Sequence, residues 1–479
     1  MNIERFLSAD KALLIAPAGF GKTHFISDAV KTLSSKQLIL THTHAGVASI
    51  KQRLSSNKVP NHLYHVETIS GFAQRFTYAY YTGGDVPGLE LKEHFPFVTK
   101  KAADLFSIDL IAKVITQTYC GLFVDEYQDC TQTQHRFVRQ LAKLIPTRLL
   151  GDYLQGIFDL GNEPIVDLQC SEQMTGFIDT VDTLDQVPWR WRNSGNTELG
   201  EAIMSIRESL LAGEPIDLSQ YKAIELVHCA EHEIHDFRSL YGQRIKQLSV
   251  ERNVLFIHPR SESAAIRLKV IKSYQNRFYM IEAIDESAFY ESARKIDEAN
   301  SGNFIGIVGD VFNQIANRTE LKNWIDKGRI RNKDLSKLEH WKINRYKTLL
   351  AAADLYGRTP TLRELRSFLE GVYALPGIHC YRREIFTSLI RSMTDAHQLG
   401  ITVEDAMIKN RNRLRSLGRQ ITGRCIGTTL LTKGLEFGTV GILNAQIFTC
   451  PKHFYVAISR ASKRLVIFSN TPVINPYGN

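Results

Sequence analysis

The sequence predicts an α/β protein built on two parallel sheets, with mainly helical stretches inserted between their strands. Three observations lead there. Short apolar runs at Ala12–Ala16, Gly121–Val124, Val254–Ile257, Val440–Leu443 and Leu465–Ser469 have the length and continuous hydrophobicity of strands buried on both faces. The first of them runs directly into a glycine loop that opens a helix, His24 to Leu33. A long intervening stretch, Ser261 to Gly423, instead carries helical periodicity, as at Leu349–Leu355 and Leu362–Tyr373.

The 479 residues are too many for one compact core and predict two to four domains. With 43% hydrophobic and 23% charged residues, the composition is that of a globular chain rather than a disordered one. No apolar run reaches the roughly 18 residues that would cross a bilayer. Met1 to Asp10 mixes charges of both signs and does not read as a signal peptide. Seven cysteines are scattered without a CxxC pair, which fits reduced thiols in a cytoplasmic protein. A net charge of +9 favours polyanionic partners, nucleic acid among them, without selecting one.

The glycine loop is Ala16-Pro17-Ala18-Gly19-Phe20-Gly21-Lys22-Thr23. Gly19 and Gly21 let backbone N–H groups curl around phosphate oxygens, and the helix N-terminus adds its positive end. That pattern predicts ATP bound by Ala18 to His24, with Lys22 on the β- and γ-phosphates and the Thr23 hydroxyl on Mg²⁺. The competing reading is a plain glycine turn. A second strand ends in Asp125-Glu126-Tyr127-Gln128-Asp129, beside the loop of a neighbouring parallel strand. There Asp125 is expected to hold Mg²⁺ and Glu126 to polarise the attacking water.

At DEYQD the chain resembles the UvrD/Rep-type helicases of superfamily 1, which carry DExQD at this point and a GDxxQ element after the next strand. Here that element is Gly151-Asp152-Tyr153-Leu154-Gln155, followed by Phe158. The resemblance implies two RecA-like domains, a γ-phosphate contact for Gln155 and a DNA base stacked on Phe158. Stacking grips a strand without reading sequence, although Phe158 reads equally as a core residue. Val187-Pro188-Trp189-Arg190-Trp191-Arg192-Asn193 resembles the N-Y-R element and implies that Arg192 reaches the γ-phosphate. Phe454 to Ala461 resembles V-A-x-T-R-A and implies an arginine finger at Arg460, worth about 10³–10⁵ in rate. The string Lys433-Gly434-Leu435-Glu436-Phe437 resembles a loop coupling DNA to nucleotide; Gly434 and Glu436 would approach ATP, and Thr428 the DNA backbone. His42 and Thr68 occupy two further DNA-contacting elements of the family.

The ordered motifs imply a first RecA-like domain at 1–71 and 120–186 and a second at 187–260 and 424–479. A small accessory insertion is expected at 72–119 and a mainly helical one at 261–423. The basic run from Lys409 to Arg424 reads as a solvated helix face or, alternatively, as a phosphate-contacting one. The His228–His235 cluster lacks HExxH spacing and reads as a solvated helix rather than a zinc site.

The departures from the family fall on one side. No glutamine precedes the glycine loop to read adenine, His42 stands where relatives have phenylalanine, and Leu430 stands for a histidine. The expected function is a DNA-dependent ATPase that translocates on single-stranded or partly duplex DNA, 3′ to 5′ by resemblance, in repair or antiphage defence. The alternative is an ATP-driven DNA sensor similar to the helicase-like subunit of Gabija-type systems, partnered by an OLD-family TOPRIM nuclease. A small-molecule P-loop kinase is a third reading, which would leave Arg460 and KGLEF without a role.

Overall fold

The computed structural model describes residues 3–478 except 89–90, 92, 159–162, 185–186, 260–263, 275–276, 282–286, 318–321, 323–339 and 418–420. The first sheet contains β1 (Lys11–Ile15), β2 (Gln37–Thr41), β3 (Tyr64–Thr68), β4 (Gly121–Val124), β5 (Thr147–Gly151) and β6 (Thr180–Thr183). Its strands are parallel in the order β3-β2-β4-β5-β1-β6. Alternate residues of β1 enter opposite cores, Leu13 and Ile15 on one face and Ala12 and Leu14 on the other. That two-sided burial explains why these strands read as unbroken apolar runs.

The second half contributes β7 (Ile216–Asp217), β8 (Ile224–His228), β9 (Val254–Ile257), β10 (Tyr279–Met280), β11 (Arg424–Gly427), β12 (Phe437–Ile442), β13 (Ala461–Ser469) and β14 (Val473–Ile474). Six of them form a second parallel sheet, ordered β10-β11-β9-β12-β13-β8, while β7 and β14 make a small antiparallel pair. The architecture is therefore α/β, with two RecA-like domains carried on parallel sheets. The strand expected at Val440–Leu443 begins earlier, at Phe437, and that at Leu465–Ser469 begins at Ala461.

The two insertions pack differently. Helices Ile69–Tyr80, His94–Leu105 and Asp109–Thr118 bury Phe72, Phe76, Ala102 and Ile115, with Phe106 just past the second helix, in the same core as Leu13 and Leu122 of the first sheet. The 72–119 stretch thus completes the first lobe instead of building a core of its own. Between Ser287 and Met407, by contrast, helices assemble a separate core around Phe312, Tyr346, Phe368 and Leu389. The sequence boundary of this module at 261 lies outside the described residues, and β10 within that range joins the second sheet. Of the basic run, the side chains from Arg411 to Arg419 lie outside the described residues. No described helix is long and apolar enough to cross a membrane.

Candidate functional site

Three adjacent strands of the first sheet, β4, β5 and β1, end side by side, and each carries one motif. After β1 the chain turns through Gly19 (φ 79°) and Gly21 (φ 96°), both left-handed. Glycine is needed at 19 twice over: a Cβ there would lie 2.9 Å from the Trp191 ring and 3.0 Å from Arg190 Cβ. Helix Lys22–Thr32 starts at Gly21 with no side-chain cap, so its first N–H groups stay available to an anion. Lys22 is buried; its Nζ donates to Ala16 O (3.1 Å) and lies 3.7 Å from Glu126 Oε1. Thr23 is half-buried, and its hydroxyl makes no hydrogen bond with the described residues. His24 points outward and pairs with Asp28 at 3.2 Å.

After β4, Glu126 adopts a left-handed conformation (φ 55°, ψ 41°) unusual for a side-chain-bearing residue. Such strain costs about 1–3 kcal/mol and gathers at functional sites. The conformation aims the carboxylate at Lys22, and Gln128 Nε2 donates to it at 2.5 Å. Burial would raise the pKa of Glu126, but Lys22, Lys433, Gln128 and Arg460 outweigh it and hold the group ionised. For its neighbour Asp125, burial followed by repulsion from Glu126 pushes the pKa well up. A carboxyl pushed up in this way gains from an added cation, so the Asp125 carboxylate and the unengaged Thr23 hydroxyl fit Mg²⁺. Among the described residues no group of three or more His, Cys, Asp or Glu side chains could hold a metal. Mg²⁺ in phosphate sites is commonly bound through one or two protein oxygens beside substrate phosphates.

After β5, Asp152 is fully buried. It accepts from Gln155 Nε2 (2.9 Å) and from Arg207 Nη2 (2.9 Å), while its own N–H donates to Gln128 Oε1 (3.0 Å). Arg207 comes from helix Thr197–Ala212, whose apolar face belongs to the second lobe's core. Gln155 is therefore turned toward Asp152 in this conformation.

The second lobe presses directly on these elements. The Tyr455 hydroxyl accepts from Ala18 N in the glycine loop (3.1 Å). Lys433 Nζ donates to Asp129 Oδ1 (2.5 Å), Asp129 Oδ2 and Gln155 O, and lies 4.8 Å from the centre of the Phe158 ring. Burial pushes Asp129 up to about 7 despite that lysine. Trp191, fully buried, packs edge-on against Phe20 at 5.9 Å and donates from Nε1 to Ala461 O (2.7 Å).

The two arginines singled out in the sequence differ in setting. Arg460 is buried, and its guanidinium donates to Val456 O, Leu435 O and Ser459 Oγ. Burial and the nearby Arg190 lower its pKa to about 9, while Glu126 across the cleft favours its charge. Arg192 is exposed and lies over the Trp189 ring at 5.4 Å. It is Arg190 that bridges the walls: its backbone N–H donates to Gly19 O (3.0 Å), and its guanidinium donates from Nε to Glu436 Oε2 (2.9 Å) and from Nη1 to Ser459 O. Gly434 is exposed and left-handed (φ 79°), and Glu436 is half-exposed at the cleft mouth.

The residues expected to meet DNA divide between helix caps and the cleft. Thr68 and Thr428 are buried N-caps whose hydroxyls accept from Gly71 N and Leu431 N. His42 sits beside Cys130 (3.6 Å), with burial and Lys433 lowering its pKa to about 4. Phe158 is half-buried under Lys433. The His228–His235 cluster is the end of β8 followed by a 3₁₀ turn, with Glu233 capping Ala230 N at 2.7 Å, in place of the expected helix.

No local pattern in the sequence assigns a role to Asp152, Arg207, Arg190, Lys433 or Tyr455. Arg207 alone carried a signal, an arginine among Ile203, Ile206 and Leu210 on the apolar face of a helix.

The sequence profile of an AAA domain matches residues 2–159, which include the glycine loop, the DEYQD strand end and the β5 turn. No curated protein matches the chain. Among solved structures, the crystal structure of Pif1 helicase from Candida albicans is similar, with 14% identity over 48% of this chain and a TM-score of 0.27. The chain spans about half, 50%, of the length of that helicase.

Proposed function

We propose that this chain hydrolyses ATP in the cleft between its lobes and couples the cycle to single-stranded DNA, as a UvrD/Rep-type superfamily 1 helicase does. The observation that supports this most is the seating of segment 433–460 on the phosphate loop and the acidic strand end together, through Tyr455–Ala18 and Lys433–Asp129. A free-standing P-loop kinase has no use for that contact. In this reading residues 18–24 hold the triphosphate, with Lys22 neutralising the phosphate charge nearest the second lobe. Thr23 and Asp125 would hold Mg²⁺, which when bound offsets the phosphate charge during transfer. Glu126, ionised beside Lys22, accepts a hydrogen bond from the attacking water and orients it. Gln155, Arg190, Arg192 and Arg460 form the set that reads the γ-phosphate, with Gly434 and Glu436 at the rim. Single-stranded DNA would cross the lobes near Phe158, with 3′-to-5′ polarity following from the family resemblance.

A second reading is an ATP-driven DNA sensor that governs a partner nuclease, as in Gabija-type antiphage systems. The observation favouring it is that three expected DNA contacts are turned inward, His42 into the cleft and Thr68 and Thr428 into helix caps. Phosphate-release assays with and without single-stranded DNA, run beside strand displacement, separate the readings. Stimulated hydrolysis with unwinding supports the motor, and stimulated hydrolysis without unwinding supports the sensor. Turnover indifferent to DNA overturns both. DNA affinity should also fall steeply with salt, since phosphate contacts release counterions.

A further inference from the structure

Beyond the cleft, the second lobe and the helical insertion meet around a cavity of about 240 Å³ walled by Arg252, Arg277, Arg383 and Arg424 with Tyr279 and Gly423. It lies at the N-terminal ends of β9, β10 and β11, and Arg383 enters from the insertion at the start of helix Arg383–Leu399. Four guanidinium groups share this space with no carboxylate in the wall, and none of the four forms an ion pair among the described residues. The acids next to these arginines in sequence, Glu251 and Glu384, both lie outside the wall, and Glu251 is taken by Arg464 at 3.4 Å.

The arginines are also held in place. Arg277 Nη1 donates to Ser249 Oγ (3.2 Å) and Arg424 Nη1 to Ser249 O (3.0 Å). Their other guanidinium donors have no partner among the described residues. Arg383 lies over the Tyr279 ring at 5.8 Å, and Tyr279 is fixed by its hydroxyl on Thr422 O. Gly423 is left-handed (φ 96°), the conformation that turns the chain beside that ring into β11. Gathering four like charges without compensation costs stability, and an anion would recover that cost. Planar guanidinium forks match phosphate oxygens in pairs. The volume falls below the roughly 300–1,000 Å³ of pockets that enclose drug-sized ligands, so it suits a small and highly charged one.

We propose that this seam is a second anion site, separate from the ATP cleft, which takes a small ligand carrying two or three linked phosphates. Because one arginine belongs to the insertion and three to the second lobe, such a ligand ties the two together. The test is calorimetric titration of the full chain carrying Lys22→Ala, which disables the glycine loop, with sodium tripolyphosphate at constant ionic strength. Binding of one tripolyphosphate per chain is expected. Adding Arg252→Gln and Arg383→Gln, two exposed positions, should weaken it about tenfold each. Parallel titrations with ADP and pyrophosphate identify the source: tighter ADP marks a nucleotide resting on Tyr279, and equal affinities mark a bare polyphosphate. Absence of saturable binding, or affinity unmoved by the two substitutions while the chain stays folded by circular dichroism, overturns the proposal. So does displacement of tripolyphosphate by a single-stranded oligonucleotide weakened equally by the same substitutions, which would make the pocket part of a nucleic-acid track.

Discussion

The cleft between the lobes pairs its polar side chains across the gap, whereas the loops at the ends of β3 and β11 pair theirs within a single turn. Lys433 reaches Asp129 and Gln155, Arg207 reaches Asp152, and Tyr455 reaches Ala18, each from the second lobe to the first. Thr68 and Thr428, in contrast, spend their hydroxyls three residues further along their own chains. The difference matters for mechanism. A bond inside one turn survives any rigid movement of the lobes, while a bond across the gap lengthens as soon as they part. Any parting of the lobes therefore breaks the contacts of Lys433, Arg207 and Tyr455 and leaves those of the capped threonines intact.

The largest effect expected from this division is on chemistry at the first wall. Lys22→Ala and Glu126→Gln should each lower ATP turnover by about a thousandfold or more, since one removes phosphate neutralisation and the other the water-orienting carboxylate. Phosphate release measured under saturating ATP decides the matter. Near-normal turnover in either variant would break the comparison at its root.

Next comes the cross-lobe pair. Lys433→Met leaves Asp129 buried without its cation, a change costing about 3–5 kcal/mol. The pH dependence has a definite sign. Asp129 is raised from 3.8 to about 7, so between those values the folded chain binds more protons than the unfolded one and loses stability as pH rises. Without Lys433 that carboxyl moves higher still. Denaturant unfolding should thus show a larger deficit for the variant at about pH 8.5 than at about pH 6, where a proton replaces the lysine. An equal deficit at both would mean that Asp129 and Lys433 are not coupled.

How far the cleft could be read from sequence follows from how local each part is. The glycine loop and DEYQD were legible because each is a short string at the end of a buried strand, and strand ends next to one another in a parallel sheet share one site. The two sheets were legible for the same reason, since burial on both faces leaves an unbroken apolar run. Tyr455 on Ala18 was not, because the partners are 437 residues apart and no local pattern links them. Nor was the fate of the 72–119 stretch: Phe72 and Phe76 fall inside the expected accessory insertion, and nothing local in them shows that they cover the first sheet. For the threonines, a serine or threonine before a helix is first a cap, and that local use competes with the family resemblance at both sites.

The two arginines near the glycine loop sharpen the comparison further. The Arg190 guanidinium bonds to Glu436 and Ser459 while its backbone holds Gly19, whereas Arg192 lies exposed on Trp189. Arg190→Gln should lower kcat by about a hundredfold, in keeping with loss of one preorganised donor at developing charge. Arg192→Gln should cost less than about tenfold, an exposed cation being screened by solvent. The reverse order in steady-state kinetics would identify Arg192 as the γ-phosphate contact and make Arg190 a hinge residue.

The smallest effects belong to the caps, and they test the other half of the division. Thr68→Ala and Thr428→Ala each remove a hydroxyl that accepts a helix N–H, at 3.0 Å from Gly71 and 3.3 Å from Leu431. Loss of such a cap costs about 1 kcal/mol of stability. If the threonines serve only their own turns, DNA affinity measured by fluorescence anisotropy should stay within about twofold of the parent, since no phosphate contact is lost. Phe158→Ala is the control on the same titration: removing one base-stacking ring weakens single-stranded DNA by about 1–3 kcal/mol. A drop at Thr68 or Thr428 as large as that at Phe158 would show that the caps open when DNA arrives, and would move both threonines from the turn to the track.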